Sequence, residues 1–281
     1  MPPDTIASLL AQGQSRIAAS GSASPLLDAR LLLQHATGLS REDMILDPGL
    51  AIATAAADHF RRMIRRRESH EPVSRILGGR EFYGRMFMVT PDVLDPRPDT
   101  ETLIDAALAI MEPGCRILDL GTGSGAIAIT LLAERPDTTG VATDVSVAAL
   151  AVAQENARSL GVADRLGFAL GPWFEPVTGR FGLIVSNPPY IPHDEIASLA
   201  PDVRDFDPHA ALDGGPDGLA PYRLIARDAG RFLTGGGRVL VEIGAGQAND
   251  VTAIFAACGF QAAVRRLDLG GHVRCLGFHQ A

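Results

Sequence analysis

The sequence contains no lysine, since all 25 of its basic residues are arginine. We attribute this bias to genome composition and assign no function to it. Positive charge is also scarce: the net charge is −8, and residues 1–100 contribute none of it because their arginines and acids balance. Without a basic surplus the chain has little to neutralise a phosphate backbone, which argues against a dedicated DNA-binding protein.

Long apolar runs and organised cysteines are missing too. No stretch approaches the roughly 20 apolar residues that span a bilayer, and the start, Met1-Pro2-Pro3-Asp4, lacks the basic and apolar regions of a signal peptide. The three cysteines are scattered, and neither they nor the seven histidines have the spacing of metal ligands. We therefore expect a cytoplasmic protein with reduced thiols, no metal site and no membrane segment.

The chain is long enough for two domains, and its first part has the spacing of helices. Ile6, Leu9 and Ile17 fall on one helical face, so residues 1–72 are predicted to form a small all-helical domain. The most basic segment of this domain, Arg61–Arg67, contains five arginines. It is either a solvated helix face or a docking surface for an acidic or nucleic-acid-bound partner.

Glycine and proline become frequent after the helical part. Gly78, Gly79 and Gly84 separate short apolar runs, and prolines interrupt the chain further on. This pattern is typical of a β-hairpin followed by an extended connector, and residues 73–98 are therefore predicted to link two domains. A helix with acids in its first turn, Glu101–Ile110, comes next.

From Cys115 onward, apolar strands and helices alternate, which predicts an α/β domain over residues 99–281 with a mostly parallel sheet and helices on both faces. The predicted strands are Arg116–Leu120, Gly140–Thr143, Leu166–Leu170, Phe181–Val185 and Arg238–Ile243. The predicted helices are Gly125–Glu134, Ser146–Ser159, Gly218–Phe232 and Ala245–Ala257. No helix separates the last two strands, so they should form an antiparallel hairpin over Phe260–Leu267 and Val273–Phe278.

A glycine-rich turn follows the first of these strands, Asp119-Leu120-Gly121-Thr122-Gly123-Ser124-Gly125. Glycine lets the backbone turn tightly and approach a ligand closely, and ligands of open α/β sheets bind at this carboxyl edge. Asp144 ends the next strand, where a carboxylate can accept two ribose hydroxyls. The turn alone leaves three interpretations open: a dinucleotide site with Ala126 in the third glycine position, a methyl-donor site, or a structural turn.

A second unusual segment, Ser186-Asn187-Pro188-Pro189-Tyr190, follows the fourth strand. Two prolines end a strand and leave the chain stiff and extended. The Asn187 side-chain oxygen and the Pro188 carbonyl can accept both protons of a planar NH₂ group, which aims the lone pair of its nitrogen. Tyr190 can stack on that flat acceptor and tolerates a cationic methyl donor. The alternative is a simple turn without a ligand.

These motifs resemble those of a known family. Asn187-Pro188-Pro189-Tyr190 is the signature of methyltransferases that act on planar nitrogens, and the glycine turn resembles the S-adenosylmethionine turn of class I methyltransferases. Three further segments resemble one branch of that class: Glu71–Gly84, Leu94–Glu101 and Asp207–Leu219. The chain is thus similar to the PrmC/HemK release factor glutamine methyltransferases over nearly its whole length, although the first 70 residues match only in size and helical character.

The resemblance implies a class I (Rossmann-like) domain with a seven-stranded sheet and S-adenosyl-L-methionine as the cofactor. The implied reaction methylates the amide nitrogen (N5) of the glutamine in the Gly-Gly-Gln loop of bacterial class 1 peptide chain release factors, which promotes translation termination. The implied donor contacts are Gly121, Thr122, Gly123, Ser124, Gly125, Asp144, Trp173 and Asn187. The implied glutamine contacts are Asn187, Pro188, Pro189 and Tyr190, with Asn187, Pro188 and Tyr190 in the catalytic role. The helical domain would bind the release factor, and a monomer without a nucleic-acid substrate is expected.

One departure from the family concerns recognition of the adenine ring. Relatives often have an acid just before the aromatic residue at the position of Trp173, whereas this chain has Gly171-Pro172. The indole of Trp173 either stacks on the base or belongs to the core. Without the acid, Trp173 is expected to carry more of the base recognition.

Two other functions remain open. An N6-adenine DNA or RNA methyltransferase would share the Asn-Pro-Pro-Tyr motif, but the acidic second part of the chain and the lack of an inserted basic region argue against it. A non-catalytic protein that senses S-adenosylmethionine is the alternative from another class, and the intact motif argues against it.

Overall fold

The computed structural model describes residues 3–280. These residues divide into two compact units, one of which takes in the chain up to Gly78 together with Pro201–Phe206. The other unit consists of Gly79–Ala200 and the chain from Asp207 onward. Across the described residues, every helix is too short or too polar to cross a membrane.

The first unit is helical, as expected. Its helices are α1 (Ile6–Ala19), α2 (Pro25–Thr37), α3 (Arg41–Leu46), α4 (Thr54–Glu68) and α5 (Val73–Leu77), and the unit also contains α9 (Pro201–Arg204). Capping boxes begin α1 at Thr5 and α3 at Ser40, because each of these hydroxyls accepts a bond from the backbone three residues on. The apolar faces meet in one core, which includes Ile6, Leu32 and Phe60.

The arginine cluster Arg61–Arg67 is partly structural. Arg67 is buried in an ion pair in which its Nε lies 2.8 Å from Asp28 Oδ2. Arg61 pairs with Asp4 and Arg66 pairs with Glu71, both within the same unit. The remaining two arginines of the cluster are exposed, so only part of it is available as a charged surface.

The hairpin begins later than the sequence suggested. Residues just after Pro72 were expected to join it, but Val73–Leu77 form α5, which buries Ile76 and ends at Gly78 in the left-handed conformation. The hairpin consists of β1 (Gly79–Phe82) and β2 (Arg85–Met88). Its two turn residues both have positive φ, which matches the tight turns preferred by two-residue hairpins.

The second unit contains the predicted sheet. Among the described residues it has seven strands in the order β5-β4-β3-β6-β7-β9-β8. The strands are β3 (Arg116–Leu120), β4 (Thr139–Asp144), β5 (Leu166–Leu170), β6 (Phe181–Ser186), β7 (Leu233–Glu242), β8 (Phe260–Leu267) and β9 (Val273–Gln280). The first five pair in parallel, whereas β9 pairs antiparallel with β7 and β8. The expected α/β fold with an antiparallel end hairpin is therefore confirmed.

Both faces of the sheet are buried, which explains the continuous apolar runs in the sequence. Along β3, Ile117 belongs to one core cluster and Leu118 to the other, since successive side chains point to opposite faces. The helices of this unit are α6 (Glu101–Leu108), α7 (Ala126–Glu134), α8 (Val147–Ser159), α10 (Ala220–Phe232) and α11 (Ala248–Ala257). Residues of α6 and α7 pack in the first cluster, and residues of α10 and α11 pack in the second.

Several strands extend past their predicted bounds, and β7 departs from them the most. The run from Arg238 was expected to start β7, but the strand begins at Leu233, which pairs with Phe181. The register between β6 and β7 is irregular just after that pair, and the three glycines Gly235–Gly237 lie in the extra length. Glycine-rich, polar positions gave no strand signal, because such residues are ordinarily depleted in strands.

The two motifs of the candidate site lie where the strand order reverses, between β3 and β6. Leu120, the last residue of β3, pairs with Ser186, the last residue of β6. Ser186 Oγ donates a hydrogen bond to the Leu120 carbonyl (2.7 Å). The glycine turn and the Asn-Pro-Pro-Tyr segment therefore leave the same edge of the sheet side by side, at the point where α/β sheets bind their ligands.

Candidate active site

The glycine turn presents bare backbone. Gly121 and Gly123 have φ of +70° and +56°, and a Cβ added at either would meet nothing within 4 Å. The amides of Gly121 and Thr122 both donate to the Thr143 carbonyl (2.9 Å each), which ties the turn to the end of β4. Left-handed φ values favour glycine, so these two positions combine a required backbone conformation with open space beside it.

Gly125 has a different role from the other two glycines. It is the N-cap of α7 with φ of +82°, and an added Cβ would lie 2.5 Å from Ile129 Cδ1 and 3.2 Å from Ala153 Cβ. The position therefore needs glycine both for its backbone conformation and for close packing inside the unit. It does not line the cavity described below.

A buried carboxylate supports the turn from beneath. Asp119 is fully buried, and its Oδ2 accepts hydrogen bonds from Thr122 Oγ1 (2.7 Å) and from the Ala128 amide (3.4 Å). Burial raises the pKa of Asp119 to about 7, while the bond from Thr122 opposes that rise. Asp119 thus fixes the turn to the start of α7 from a position that ligands cannot reach.

Asp144 holds the turn from the side and also faces the cavity. Its Oδ2 accepts from the Gly123 amide and its Oδ1 from the Ser146 amide, at 2.9 Å each. The side chain is half-buried and lines the cavity. A carboxylate has about four acceptor positions, so each oxygen keeps capacity for a hydroxyl group of a ligand.

A cavity of about 370 Å³ lies against these residues within the second unit. This volume falls within the range of about 300–1,000 Å³ that is usual for small-molecule sites. Its walls come from the connector, the glycine turn, the end of β4, the residues after β5 and β6, and the segment near residue 210. The lining residues that the sequence predicted are Gly121, Thr122, Gly123, Ser124, Asp144, Trp173, Asn187 and Pro189.

The Asn-Pro-Pro-Tyr segment divides between the cavity and the protein interior. Asn187 and Pro189 line the cavity, whereas Pro188 is buried and Tyr190 lies outside the lining. Asn187 Nδ2 donates to Thr100 Oγ1 (3.3 Å). The Tyr190 carbonyl accepts from Gln247 Nε2 (2.9 Å). Asn187 and Pro189 thus face the space beside the glycine turn, while bonds from Asn187 and Tyr190 tie the segment to Thr100 and Gln247.

Comparisons with known proteins agree with this arrangement. Residues 8–78 match the PrmC N-terminal domain, and residues 99–201 match the methyltransferase small domain. A release factor glutamine methyltransferase from Agrobacterium fabrum is 48% identical over 282 residues, covering 98% of each chain. One from Cereibacter sphaeroides is 51% identical over 259 residues, covering 92% of each chain.

The chain belongs to the release factor glutamine methyltransferase family. The expected class of enzyme, a methyltransferase that depends on S-adenosylmethionine, is thereby confirmed. The dinucleotide-binding interpretation of the glycine turn is wrong for this chain.

Two solved structures are similar to this chain in fold. A methyltransferase from Pyrococcus furiosus has a TM-score of 0.54 at 18% identity, covering 70% of this chain and 89% of that one. The hMettl16 catalytic domain, solved with the MAT2A 3′UTR hairpin 6, has a TM-score of 0.57 at 14% identity and covers 69% of this chain and 75% of that one. At these identities the similarity concerns the fold alone.

Trp173 lies between the cavity and the protein core. It lines the cavity, and it also packs against the core cluster that contains Phe174 and Phe181. Its φ of +47° is unusual for a bulky residue. The Trp173 carbonyl accepts a bond from Thr143 Oγ1 (3.3 Å), which helps to hold this backbone conformation beside β4.

The loop that follows the Asn-Pro-Pro-Tyr segment packs closely against it. A Cβ on Gly214 would lie 2.9 Å from the Pro189 carbonyl, and one on Gly218 would lie 2.4 Å from the Tyr190 carbonyl. The Gly214 amide donates to the Ile191 carbonyl (2.8 Å). Glycine is needed at these positions because the loop and the motif approach backbone to backbone.

Sequence reasoning missed several residues of the site in this methyltransferase. The cavity wall also includes Arg97 and Val145, and Arg97 forms an ion pair with Asp207, whose side chain is buried. Thr100 also lines the cavity, and its Oγ1 donates to Oε2 of the buried Glu242 (2.6 Å). The available signal was the single acid in the apolar run Val239–Ile243, since acids are almost never fully buried without a partner.

Proposed function

We propose that this chain methylates the N5 amide nitrogen of the glutamine in the Gly-Gly-Gln motif of bacterial class 1 peptide chain release factors. The observation that carries the proposal is the position of Asn187, which faces the same cavity as the glycine turn and Asp144. S-adenosylmethionine, when bound, supplies a methyl group on a cationic sulfur, and this sulfur keeps the bonding electrons when the methyl group leaves. The residues of the chain do the positioning.

The donor side of the cavity fits this cofactor. Gly121 and Gly123 leave open space beside their backbone, as a close ligand requires. Asp144 has acceptor capacity for ribose hydroxyls, and Trp173 with Val145 provides apolar cover for the base. Because Gly171-Pro172 precedes Trp173, no acid is available at that point to bind the base, and the indole carries its recognition. Thr122, Ser124 and Gly125 complete the proposed donor site, with Gly125 acting through packing.

The acceptor side suits a planar NH₂ group. The Asn187 side-chain oxygen and the Pro188 carbonyl would accept its two protons, so that its lone pair points at the methyl carbon. Positioning of this kind supplies on the order of 7–11 kcal/mol. As the new N–C bond forms, positive charge develops on the nitrogen, and both oxygens stabilise it until one proton leaves to solvent.

Pro189 and Tyr190 would complete the glutamine site. Burial raises the pKa of Tyr190 to about 12, with the Glu242 carboxylate adding to the rise. The phenol therefore stays neutral at physiological pH. A neutral aromatic ring can cover the flat amide and tolerate the cationic methyl donor, at roughly 0.5–2 kcal/mol.

We infer that the helical unit binds the release factor. This unit matches the PrmC N-terminal domain, and it exposes large apolar side chains: Leu27 on α2 is 52% exposed, and Leu46 on α3 is 82% exposed. Covering such side chains with a protein partner is favourable, because it removes apolar surface from water. We expect the enzyme to act as a monomer in the cytoplasm.

A labelling experiment tests the proposed function. The purified chain is incubated with labelled S-adenosylmethionine and a bacterial class 1 release factor, and the Gly-Gly-Gln peptide is examined by mass spectrometry. We expect one methyl group on the glutamine, and none on a release factor that carries alanine in its place. An adenine-containing oligonucleotide serves as the competing acceptor. Label on the oligonucleotide, or none on the release factor, would overturn the substrate assignment.

A further inference from the structure

Glu242 is a buried acid at the end of an apolar strand. It is the last residue of β7, only 1% exposed, and it follows Val239, Leu240 and Val241, which are all fully buried. Burying a charge is costly unless it is paired or hydrogen-bonded. The methyl-transfer chemistry described above makes no use of this carboxylate, so its presence behind the site needs an explanation.

The carboxylate is connected to Asn187 through one hydroxyl. Thr100 Oγ1 lies 2.6 Å from Glu242 Oε2 and 3.3 Å from Asn187 Nδ2. On its other side, Glu242 Oε1 lies 3.5 Å from the Tyr190 hydroxyl. The acid therefore reaches both polar side chains of the Asn-Pro-Pro-Tyr segment, one of them through Thr100.

The chemistry of these groups gives the chain of bonds a direction. An ionised carboxylate can only accept hydrogen bonds, and a threonine hydroxyl has a single proton to donate. The Thr100 proton is therefore committed to Glu242, and Thr100 can only accept from Asn187. Only the NH₂ end of the Asn187 amide can donate, so this end turns toward Thr100 and the oxygen is left for the cavity.

We propose that Glu242, acting through Thr100, is a positioning residue that fixes the Asn187 amide with its oxygen toward the acceptor group. The inference rests on the proposed function, in which that oxygen accepts a proton of the glutamine NH₂. An amide that is turned over would present its own NH₂ to the NH₂ of the substrate, and two donors would then meet. The hydrogen-bonded series Glu242–Thr100–Asn187, which we call the relay, thus determines whether Asn187 helps or hinders the reaction.

Protonation of Glu242 would remove the constraint that orients the Asn187 amide. Burial raises the pKa of Glu242 to about 7, while the bond from Thr100 and the charge of Arg274 oppose the rise. A protonated carboxyl can donate to Thr100, which frees the threonine proton for the Asn187 oxygen. The titratable and charged groups that face Glu242 are Asp99, Tyr190, Tyr222, Arg274 and Cys275.

The sign of the pH dependence follows from that shift. The carboxylate form, which orients Asn187, predominates above about pH 7. The guanidinium of Arg274 lies 3.2 Å from Asp99 and 3.0 Å from Asp268, and it stays charged throughout this range. Turnover is therefore expected to rise as the pH increases from 6 to 8.

Four variants separate this role from simple structural support. Glu242→Gln and Thr100→Val should each lower kcat by about tenfold or more, because a partly disoriented hydrogen-bonding group loses part of the roughly 10²–10³-fold effect of such groups. Both should lose the rise between pH 6 and 8, with KM for S-adenosylmethionine changed by less than about threefold. Thr100→Ser keeps the hydroxyl and should keep both kcat and the pH profile.

Tyr222→Phe is the matched control. The Tyr222 hydroxyl donates to the backbone carbonyl of Glu242 (2.9 Å) and not to its carboxylate. The variant removes a buried hydrogen bond at the same residue, so stability should fall while the pH profile persists. A Thr100→Val or Glu242→Gln enzyme with wild-type kcat and profile would overturn the relay.

A second measurement tests the relay without any turnover. The side-chain NH₂ signals of Asn187, assigned in NMR spectra with Asn187→Ala, should move between pH 6 and 8 in the wild-type chain. They should stay fixed in Glu242→Gln and Thr100→Val. Signals that do not move in the wild type would contradict the relay, whatever the methyl acceptor is. Failure of the wild type to label a release factor would instead contradict the proposed function alone.

Discussion

The two sides of the cavity are built in different ways. On the donor side, the backbone forms the surface: Gly121 and Gly123 are left-handed, and Asp144 fixes the turn through amides. On the acceptor side, Asn187 must present one end of a side-chain amide, and its partner Thr100 is 87 residues away in the chain. The donor side is centred on one short glycine segment that Asp144 holds from the next strand, whereas the acceptor side depends on partners far apart in the sequence.

This difference predicts separate consequences for substitutions. Changes on the donor side should alter affinity for S-adenosylmethionine, because they reshape the surface that binds it. Changes on the acceptor side should alter turnover, because they affect interactions that strengthen as the nitrogen attacks. Variants that break this separation would show that the two sides act as one.

The largest expected effect is that of Asn187→Ala. This change removes the oxygen that faces the acceptor nitrogen, and losing one such preorganised group costs about 10²–10³-fold in kcat. The dissociation constant for S-adenosylmethionine should change by less than about threefold. Single-turnover kinetics and calorimetry measure the two quantities, and a variant that retains turnover would contradict the role of Asn187.

Asp144→Ala should have the next largest effect, on binding instead of turnover. Hydrogen bonds to a charged group contribute about 1.5–3 kcal/mol, so the affinity for S-adenosylmethionine should fall roughly ten- to a hundredfold. Turnover at saturating cofactor should change little. Asp164→Asn, at an exposed acid elsewhere in the same unit, is the control. If Asp144→Ala lowered kcat and left affinity intact, the donor side would not be the separate region that we describe.

A smaller effect distinguishes two glycines of the same turn. Alanine at Gly121 or Gly125 would have to adopt a left-handed φ, which costs roughly 1–2 kcal/mol. At Gly125 the new Cβ would also approach Ile129 Cδ1 to 2.5 Å, so Gly125→Ala should be the less stable protein in urea denaturation. For the same loss of folding stability, Gly121→Ala should lose more affinity for S-adenosylmethionine than Gly125→Ala does. Equal losses in both assays would show that the two glycines share one role.

The smallest effect concerns the stability of Glu242→Gln. Burial raises the pKa of Glu242 from its ordinary value of 4.5 to about 7, so the folded state binds this proton more tightly than the unfolded state does. Its contribution to stability is therefore full below pH 4.5 and is lost as the pH rises toward 7. Glu242→Gln has no carboxyl group at this position, so its stability does not decrease in this way as the pH rises.

Thermal melts at pH 5 and pH 8 test whether the contribution of Glu242 to stability decreases as the pH rises. The melting temperature of Glu242→Gln relative to wild type should increase by at least about 2–4 °C between the two values, which corresponds to about 1 kcal/mol. Asp164→Asn again provides the comparison. A difference that is constant with pH would mean that Glu242 does not titrate in this range, and the pH dependence of the relay would lose its basis.

Much of the fold could be predicted because its signals are local. The strands Arg116–Leu120 and Leu166–Leu170 have the predicted bounds, since buried parallel strands are short apolar runs. The helix Val73–Leu77 was not foreseen, because five residues are too few to show a helical period. The strand start at Leu233 was hidden by the glycines that follow it.

The donor side of the site was predictable for the same reason, and the acceptor side only in part. The glycine turn, Asp144 and Asn187 lie within or directly beside recognisable motifs, and the structure places all of them around one cavity. The partners Thr100 and Glu242 come from separate elements, 142 residues apart. A lone acid in an apolar strand indicates that a buried polar contact exists, but the sequence does not specify which residue makes it.

The most direct test of the central claim is mass spectrometry of a class 1 release factor co-expressed with this chain. The host should lack its own glutamine methyltransferase, and Asn187→Ala, with kcat lowered about 10²–10³-fold, provides the comparison. We predict one added methyl group on the glutamine of the Gly-Gly-Gln peptide with the wild-type chain, and a much smaller methylated fraction with the variant after the same short expression time. An unmodified glutamine beside the folded wild-type chain, or equal methylation with the variant, would contradict the account.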